Sequence, residues 1–310
     1  MLSASRLVRR FGDRVAVDDV TFEVKAGEVF GLVGPNGAGK TTTLRMLGGL
    51  IPPTSGEVRI GGVVLDRRTG ARLRARIGFL TETPGLWDQL TVLDNVTVYA
   101  RLFGMNDARS AVERVLRRFE LWDRRSDRTA LLSKGMKQKL ALARALVHDP
   151  DVVLLDEPTA NLDPQTSRGV RDLLLDLRRR GRVVIVSTHN LDEIERLADR
   201  VALISTRLVA VGAPAVLRQQ IFGRRLRIRV TPGGTAPHDL AATAEHAGAR
   251  QIRVDDDGLS MSVDEPDVSV PAIVRALVEA GAGIREAYDD QPPLEDVYVS
   301  LLSPPKPHDS

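Results

Sequence analysis

The sequence predicts an α/β protein. It should be built on a mostly parallel sheet with an antiparallel β addition and followed by a smaller α+β unit. Three observations carry this. Glu28–Val33, Val152–Leu155 and Val183–Val186 are unbroken apolar or β-branched runs, the composition of strands buried on both faces of a parallel sheet. The amphipathic stretches Lys137–His148 and Gln165–Arg180 alternate with them as helices. Beyond residue 225 the rhythm shifts, and Leu226–Val230 alternates at period two.

Taken in order, Arg6–Val24 holds alternating segments around the turn residues Gly12-Asp13 and Asp18-Asp19, which reads as the antiparallel addition. The run Glu28–Val33 ends in glycine-rich sequence, and the two further core strands end in polar residues. In the last part, Leu240–Ala247 is helical. Gln251–Val254 and Ser260–Val263 are strands joined at Asp255-Asp256-Asp257-Gly258. Val268–Ala280 is a helix stopped by Gly281, Ile284–Ala287 is a strand, and Leu294–Leu302 is a last helix. That order, β-α-β-β-α-β plus a helix, is close to a ferredoxin-like split βαβ unit. Ser303-Pro304-Pro305-Lys306-Pro307 opens a tail predicted to be disordered.

Length and charge agree with two units. At ~100–200 residues per domain, 310 residues allow about two. The net charge of +3 hides an asymmetry: residues 1–236 hold 39 Lys and Arg against 26 Asp and Glu, whereas residues 237–303 hold 4 against 14. Only 6 of the 44 basic residues are Lys, so the Arg excess is not read as a nucleic-acid footprint. The absence of Cys excludes disulfides, thiolate metal sites and cysteine nucleophiles. No apolar run approaches the ~18–20 residues of a membrane span. The start, Met1-Leu2-Ser3-Ala4-Ser5-Arg6, lacks the apolar stretch of a signal peptide. A cytosolic, soluble chain is the expectation.

The strongest chemical signal is Gly34-Pro35-Asn36-Gly37-Ala38-Gly39-Lys40-Thr41, with Thr42 behind it. It fits G-x-x-x-x-G-K-[ST] between a strand and a helix. Backbone N–H groups can surround phosphate oxygens only where no Cβ blocks the approach, hence the glycines. The helix that follows offers its N-terminal amides to the same anion. Lys40 adds a positive charge, and Thr41 a hydroxyl for Mg²⁺. The second signal is Val152–Leu155 followed by Asp156-Glu157-Pro158. It brings two carboxylates to the carboxyl edge of the sheet, Asp156 for the Mg²⁺ shell and Glu157 to polarise a water.

The third is Leu132-Ser133-Lys134-Gly135-Met136-Lys137-Gln138 at the head of a helix. Ser133 is an N-cap candidate. Lys134, Lys137 and Lys139 stand where the helix dipole favours anions, a conflict that a bound phosphate would remove. The fourth is Ser187-Thr188-His189-Asn190, which puts a histidine at the end of the third core strand. A single histidine is ordinarily structural, and the position is what raises this one.

These residues, in this order, resemble the nucleotide-binding subunit of an ABC (ATP-binding cassette) transporter over roughly residues 3–220. Walker A is Gly34–Thr41, Walker B Val152–Glu157, the signature Leu132–Gln138, the D-loop Asn161-Leu162-Asp163, and the switch histidine His189. The resemblance implies a P-loop cassette over 1–222, with a helical signature subdomain. It leaves 223–303 as an accessory α+β domain and 304–310 as the tail. It also implies a head-to-tail homodimer, or paired cassettes, closing around two ATP and Mg²⁺. Ser133 and Gly135 would then reach the γ-phosphate of the partner's ATP, Glu157 would be the general base, His189 would orient the γ-phosphate, and Asp163 would couple the two sites. Phe11 matches the position that stacks on adenine, with Phe in place of the more usual Tyr.

Two departures stand out. The signature carries Lys134 and Met136 where Gly and Gln are usual. Glu82, in Gly78–Glu82, occupies the place of the glutamine that touches Mg²⁺ and the attacking water. An ionised Glu can ligate the metal but cannot donate a hydrogen bond. Both departures, the segment Pro84–Asn95 and the closing Pro293–Tyr298 are similar to exporter ATPases of the daunorubicin-resistance and sodium-efflux kind. That implies a separately encoded integral-membrane permease, no nucleic-acid partner, and a place on the inner face of the membrane. Leu86 and Trp87 lie in the region that would face the permease, or else pack in the core. The alternative is a soluble regulatory ATPase of the same superfamily that works without a permease.

Overall fold

The computed structural model describes residues 1–160, 162–231, 235–290 and 292–302. Asn161 of the expected D-loop and the expected tail 304–310 lie outside them. The chain divides into two units, Met1–Ala213 and Pro214–Ser310.

The first unit opens with a hairpin, β1 (Leu2–Phe11) and β2 (Arg14–Val24), turned at Gly12-Asp13 as expected. Asp18-Asp19 is not a second turn. It lies inside β2, where Asp19 takes φ 53° and the register with β1 slips. The cause is tertiary: the Asp18 N–H donates to the Thr206 carbonyl, and its carboxylate accepts from Arg207 Nε at 2.6 Å. A bulge there lets β2 keep pairing with β1 on both sides of that contact.

Next come β3 (Glu28–Val33), α1 (Lys40–Leu47), β4 (Ser55–Ile60), the short β5 (Val63–Val64), α2 (Gly70–Arg74) and β6 (Ile77–Leu80). Three helices follow, α3 (Val92–Leu102), α4 (Ala108–Arg118) and α5 (Lys134–Leu146), packed on one another. The unit closes with β7 (Val152–Asp156), α6 (Pro164–Arg179), β8 (Val183–Thr188), α7 (Leu191–Glu195), β9 (Arg200–Ser205) and β10 (Arg207–Gly212).

These strands form two sheets. One is antiparallel, in the order β2-β1-β4-β5. The other runs β10-β9-β3-β8-β7-β6 and is parallel except for its β10 edge. Every residue of β3, β7 and β8 is buried, as continuous apolar strands covered on both faces must be. One core holds Phe30, Leu32, Leu154 and Ile185 with Leu44 and Leu47 of α1 and with Leu2, Leu7 and Val20 of the antiparallel sheet. On the same sheet, α6 packs against β3 and β8.

The second unit contains α8 (Pro214–Phe222), β11 (Arg224–Val230), α9 (Pro237–His246), β12 (Arg250–Asp255), β13 (Gly258–Val263), α10 (Pro266–Glu279), β14 (Ile284–Asp289) and α11 (Leu294–Leu302). Its sheet is antiparallel in the order β12-β13-β11-β14. Each outer strand is thus joined to the central pair through a helix or a hairpin, the split βαβ arrangement. Leu226, Ile228, Leu259 and Met261 face Leu240, Ile273 and Leu277 of the helices. The unit begins one helix earlier than residue 223, because α8 packs with α11.

The three-helix region is tied to the parallel sheet through His148. Its ring stacks on Phe103, with centroids 3.7 Å apart, and Nε2 lies 3.1 Å from the Ile77 carbonyl of β6. Burial holds its pKa below the ordinary 6.5. The fold therefore favours the neutral ring. Its contribution is full above pH 6.5 and is lost as the pH falls through the lower folded-state value. Urea midpoints measured from about pH 7.5 down to about 5.5 should fall more steeply for the wild type than for His148→Gln; parallel curves would remove the histidine from the pH response.

Candidate functional site

The loop after β3 is shaped by backbone contacts that exclude side chains. A Cβ on Gly34 would overlap the Ile204 carbonyl oxygen of β9. Gly39 has φ 96°, and a Cβ there would stand 2.5 Å from the Ala16 carbonyl of β2. Gly37, at φ 83°, also lies where L-residues are strained. The Thr206 N–H donates to the Ala38 carbonyl at 2.9 Å and fixes the loop from beneath. Gly39 precedes α1 and offers no side-chain cap, so the first amides of α1 are left for an anion.

Lys40 is buried, and its Nζ donates to the Gly34 and Pro35 carbonyls at 2.6 and 3.1 Å. Burial lowers its pKa below the ordinary 10.5, while Glu157, Asp156 and Glu82 act in the opposite sense. One ammonium group thus sits among three carboxylates.

The carboxylates are delivered by strand register. In the parallel ladders Val33 pairs with Thr188, and Asp156 with Ser187. The residues that leave the strands, Gly34, Glu157 and His189, therefore emerge side by side. Asp156 is buried, and Ser187 Oγ donates to its Oδ1. Glu157 takes the left-handed conformation at φ 49°. Its carboxylate receives the His189 backbone N–H at 3.0 Å and Thr188 Oγ1 at 3.2 Å, and Oε1 lies 2.8 Å from His189 Nδ1. A non-glycine residue held at positive φ by this many bonds is over-determined by its surroundings, as functional positions often are.

A cavity of about 550 Å³ opens over this edge of the sheet. Phe11, residues Pro35 to Thr42, Glu82, Glu157 and His189 line it. The structure thus brings together, in one cavity, residues separated by up to 178 positions of sequence. Gly34 and Asp156 do not line the cavity: Gly34 packs against β9, and Asp156 is covered next to Ser187. Ser133, Gly135 and Asp163 are outside it as well. They form a neighbouring group, in which a Cβ on Gly135 would lie 3.1 Å from Thr166 Oγ1 and 3.6 Å from Asp163 Oδ2.

Asp163 caps α6. Hydrogen bonds from the Thr166 hydroxyl and then its N–H, at 2.6 and 2.9 Å, hold its carboxyl below the usual carboxylate range. Ser133 caps α5 as expected, accepting from the Met136 N–H at 3.3 Å. The basic first turn of α5 is answered inside the chain. Lys137 Nζ meets Asp88 at 2.7 Å and Lys139 Nζ meets Glu120 at 2.6 Å, so the conflict raised by the sequence is largely met without an external anion. Sequence reading could not pair residues 49 and 19 positions apart.

Other members of the site were missed. Arg14 lines the cavity beside Phe11. The Gly12-Asp13 turn was the available signal, since a two-residue hairpin sets Phe11 opposite Arg14. Gln138, on α5, donates from Nε2 to the Pro158 carbonyl at 2.7 Å and ties the signature helix to the segment after β7. Arg144 donates to the Pro84 and Gly85 carbonyls, and buried Asn95 bonds both backbone groups of Trp87. Together they fix the segment that follows Glu82.

The donor set suits a triphosphate with Mg²⁺. A glycine cradle, free helix amides and a desolvated ammonium answer the phosphates, and the Thr41 hydroxyl with the carboxylates of Asp156 and Glu82 are the hard oxygen donors that Mg²⁺ takes. Among the described residues no helix is long and apolar enough to cross a membrane.

Comparison with known proteins agrees with this geometry. Residues 17–160 match the family model described as ABC transporter. The chain is 38% identical over 298 residues to the Nod factor export ATP-binding protein I of Burkholderia lata, with 94% of each chain covered. It is 34% identical over 305 residues to the protein of that name from Rhizobium meliloti, covering 97% of this chain and 87% of the other. Among solved structures, an ATP-binding subunit of an ABC transporter superposes with a TM-score of 0.66 at 31% identity, over 72% of this chain and 94% of that one. A dimeric ATP-binding cassette in a post-hydrolysis state, bound to ADP and Pi, gives 0.63 at 28% identity, over 69% and 98%. With near full-length similarity to its relatives and the phosphate loop, carboxylates and histidine gathered at one sheet edge, the chain belongs to the ATP-binding subunits of ABC transporters, a family of ATPases.

Proposed function

We propose that this chain is the ATP-hydrolysing subunit of an exporter, working as a head-to-tail dimer on a separately encoded membrane permease. One observation carries the hydrolytic part: Lys40, Glu157 and His189 converge on a single cavity floored by the glycine loop. The relatives named for Nod factor export support export as the direction. The resemblance to daunorubicin-resistance and sodium-efflux ATPases supports the same direction.

In this reading Phe11 stacks on adenine, and residues Gly34 to Thr42 wrap the phosphates. Lys40 exchanges its loop carbonyls for β- and γ-phosphate oxygens. Glu157 is the general base: a carboxylate oxygen takes the proton of the attacking water as its oxygen bonds to the γ-phosphorus and ADP leaves. The His189 N–H and Thr188 Oγ1 keep that carboxylate aimed. Turned from Glu157 toward the nucleotide, the His189 ring orients the γ-phosphate. Thr41, Asp156 and Glu82 would hold Mg²⁺, whose chemistry is to neutralise charge developing on the phosphate oxygens.

Ser133 and Gly135 lie outside their own chain's cavity, which supports their acting on the ATP of a second copy, with Asp163 beside them coupling the two sites. The first unit, Met1–Ala213, is the cassette, and the second, from α8 onward, an accessory domain. Trp87 is exposed on the segment held by Asn95 and Arg144 and is our choice for the permease contact, with Leu86 next to it. The protein then works on the inner face of the membrane.

Glu157→Gln should lower ATP turnover by about 100-fold or more while leaving ATP bound and the dimer closed. Turnover at the wild-type rate would remove the base assignment. Lys40→Ala should instead weaken ATP binding, by about tenfold or more in equilibrium titration; an unchanged affinity would remove the phosphate role. Co-purification with the membrane subunit after Trp87→Ala and Leu86→Asp checks the docking face. Loss of the complex is expected, whereas full retention, or normal cellular function without any membrane partner, would favour the soluble regulatory ATPase.

A further inference from the structure

We infer that Arg14 is a second phosphate-binding cation of the ATP site, acting on the polyphosphate from the side opposite the floor of the loop. This rests on the ATP-binding reading above and assigns that site a residue that none of its sequence motifs contains.

The argument begins with the hairpin. Phe11 and Arg14 flank the two-residue turn Gly12-Asp13 and are paired partners in the β1–β2 ladder. Residues directly opposite one another in an antiparallel pair project from the same face. The ring and the guanidinium therefore leave the sheet together, and both line the cavity. Two residues further along the same face is Ala16, which also lines the cavity and whose carbonyl oxygen closes on Gly39. Strand β2 is thus laid along the glycine loop, and Arg14 stands at its outer end. Its Nη2 lies 3.9 Å from the point where a Cβ on Gly37 would be. The guanidinium accordingly hangs over the middle of the loop that is to hold phosphate oxygens.

Its surroundings explain what it waits for. Among the described residues Arg14 makes no hydrogen bond and no ion pair, and it is exposed. Its neighbour Arg9 is engaged, lying 4.5 Å over the Phe11 ring and donating to the Pro52 carbonyl at 2.8 Å. Lys40 is engaged as well, with its two loop carbonyls and three nearby carboxylates. The carboxylates Glu82 and Glu157 line the cavity along with it. A polyanion entering a cavity with these negative groups gains from a cation that has no prior partner to give up. Arginine suits the position, since its planar fork can bind two phosphate oxygens at once.

Equilibrium titration of the full-length protein with ATP, AMP and adenosine tests this, comparing wild type, Arg14→Gln and Arg14→Lys. Arg14→Gln should bind ATP about tenfold more weakly and show a shallower salt dependence. Arg14→Lys keeps the charge but not the two-pronged contact and should recover only part of the loss, and adenosine should bind all three proteins alike. The side chain is exposed, so the thermal unfolding midpoint without nucleotide should be the same in all three. Equal ATP affinity in wild type and Arg14→Gln would overturn the inference. So would an equal weakening of ATP and adenosine, which would place the guanidinium on the nucleoside. Failure of the wild type to bind ATP would overturn the functional reading itself and this inference with it, an outcome distinct from binding that the variant leaves unchanged.

Discussion

Everything at the site depends on the register of three buried parallel strands. With Val33 beside Thr188 and Asp156 beside Ser187, the strands β3, β8 and β7 end within one residue of each other. The chain turns out of the sheet at Gly34, Glu157 and His189 in one row. A slip of one residue would point each of these side chains at the opposite face of the sheet. All three strands are buried on both faces, so the close packing of their individual side chains holds the register. The hydrophobic core therefore sets the spacing of the chemistry, and the polar groups refine it through the Ser187–Asp156 and His189–Glu157 bonds.

Around this row, backbone contacts do most of the positioning. The phosphate loop is pressed between the Ile204 and Ala16 carbonyls, so its glycines answer two demands: left-handed or close backbone on the inside, and open amides on the outside. The three-helix region joins its neighbours by the packing of α5 on β6 and by polar contacts. Gln138 reaches the Pro158 carbonyl, Arg144 the carbonyls of Pro84 and Gly85, and the Arg118–Asp176 pair joins α4 to α6.

The charge asymmetry acquires a partial explanation. Most of the basic excess of residues 1–236 lies in the unit that takes a polyanion, while Arg218, Arg224, Arg225, Arg227 and Arg229 and the acidic excess of residues 237–303 lie in the second unit. Not all of the basic excess serves the anion. Arg76 and Arg182 converge on Asp151, Arg118 and Arg180 on Asp176, and Lys137 and Lys139 pair locally. Many cations are structural, and a cation count alone overstates what is free for a ligand.

The motifs were legible because each is local. Gly34 to Thr41, Asp156-Glu157 and His189 all follow apolar runs that can only be buried strands, and a buried parallel strand must deliver its next residues to the carboxyl edge. The hairpin at Gly12-Asp13, the capping role of Ser133 and the β-α-β-β-α-β order of the second unit were read on the same local grounds. What stayed hidden depends on residues far apart in the chain. The bulge at Asp19 arises from Thr206 and Arg207, and the lysines of α5 find their carboxylates on other segments. Glu157 and His189 bond each other only because β7 and β8 are neighbours. The sequence by itself determined which strands are buried and which residues leave their ends, because hydrophobic periodicity is a property of neighbouring residues. Tertiary structure alone decided which of those ends adjoin and which cations remain unpaired over the cavity, because strand order and side-chain pairing are settled by packing between segments that the sequence holds far apart.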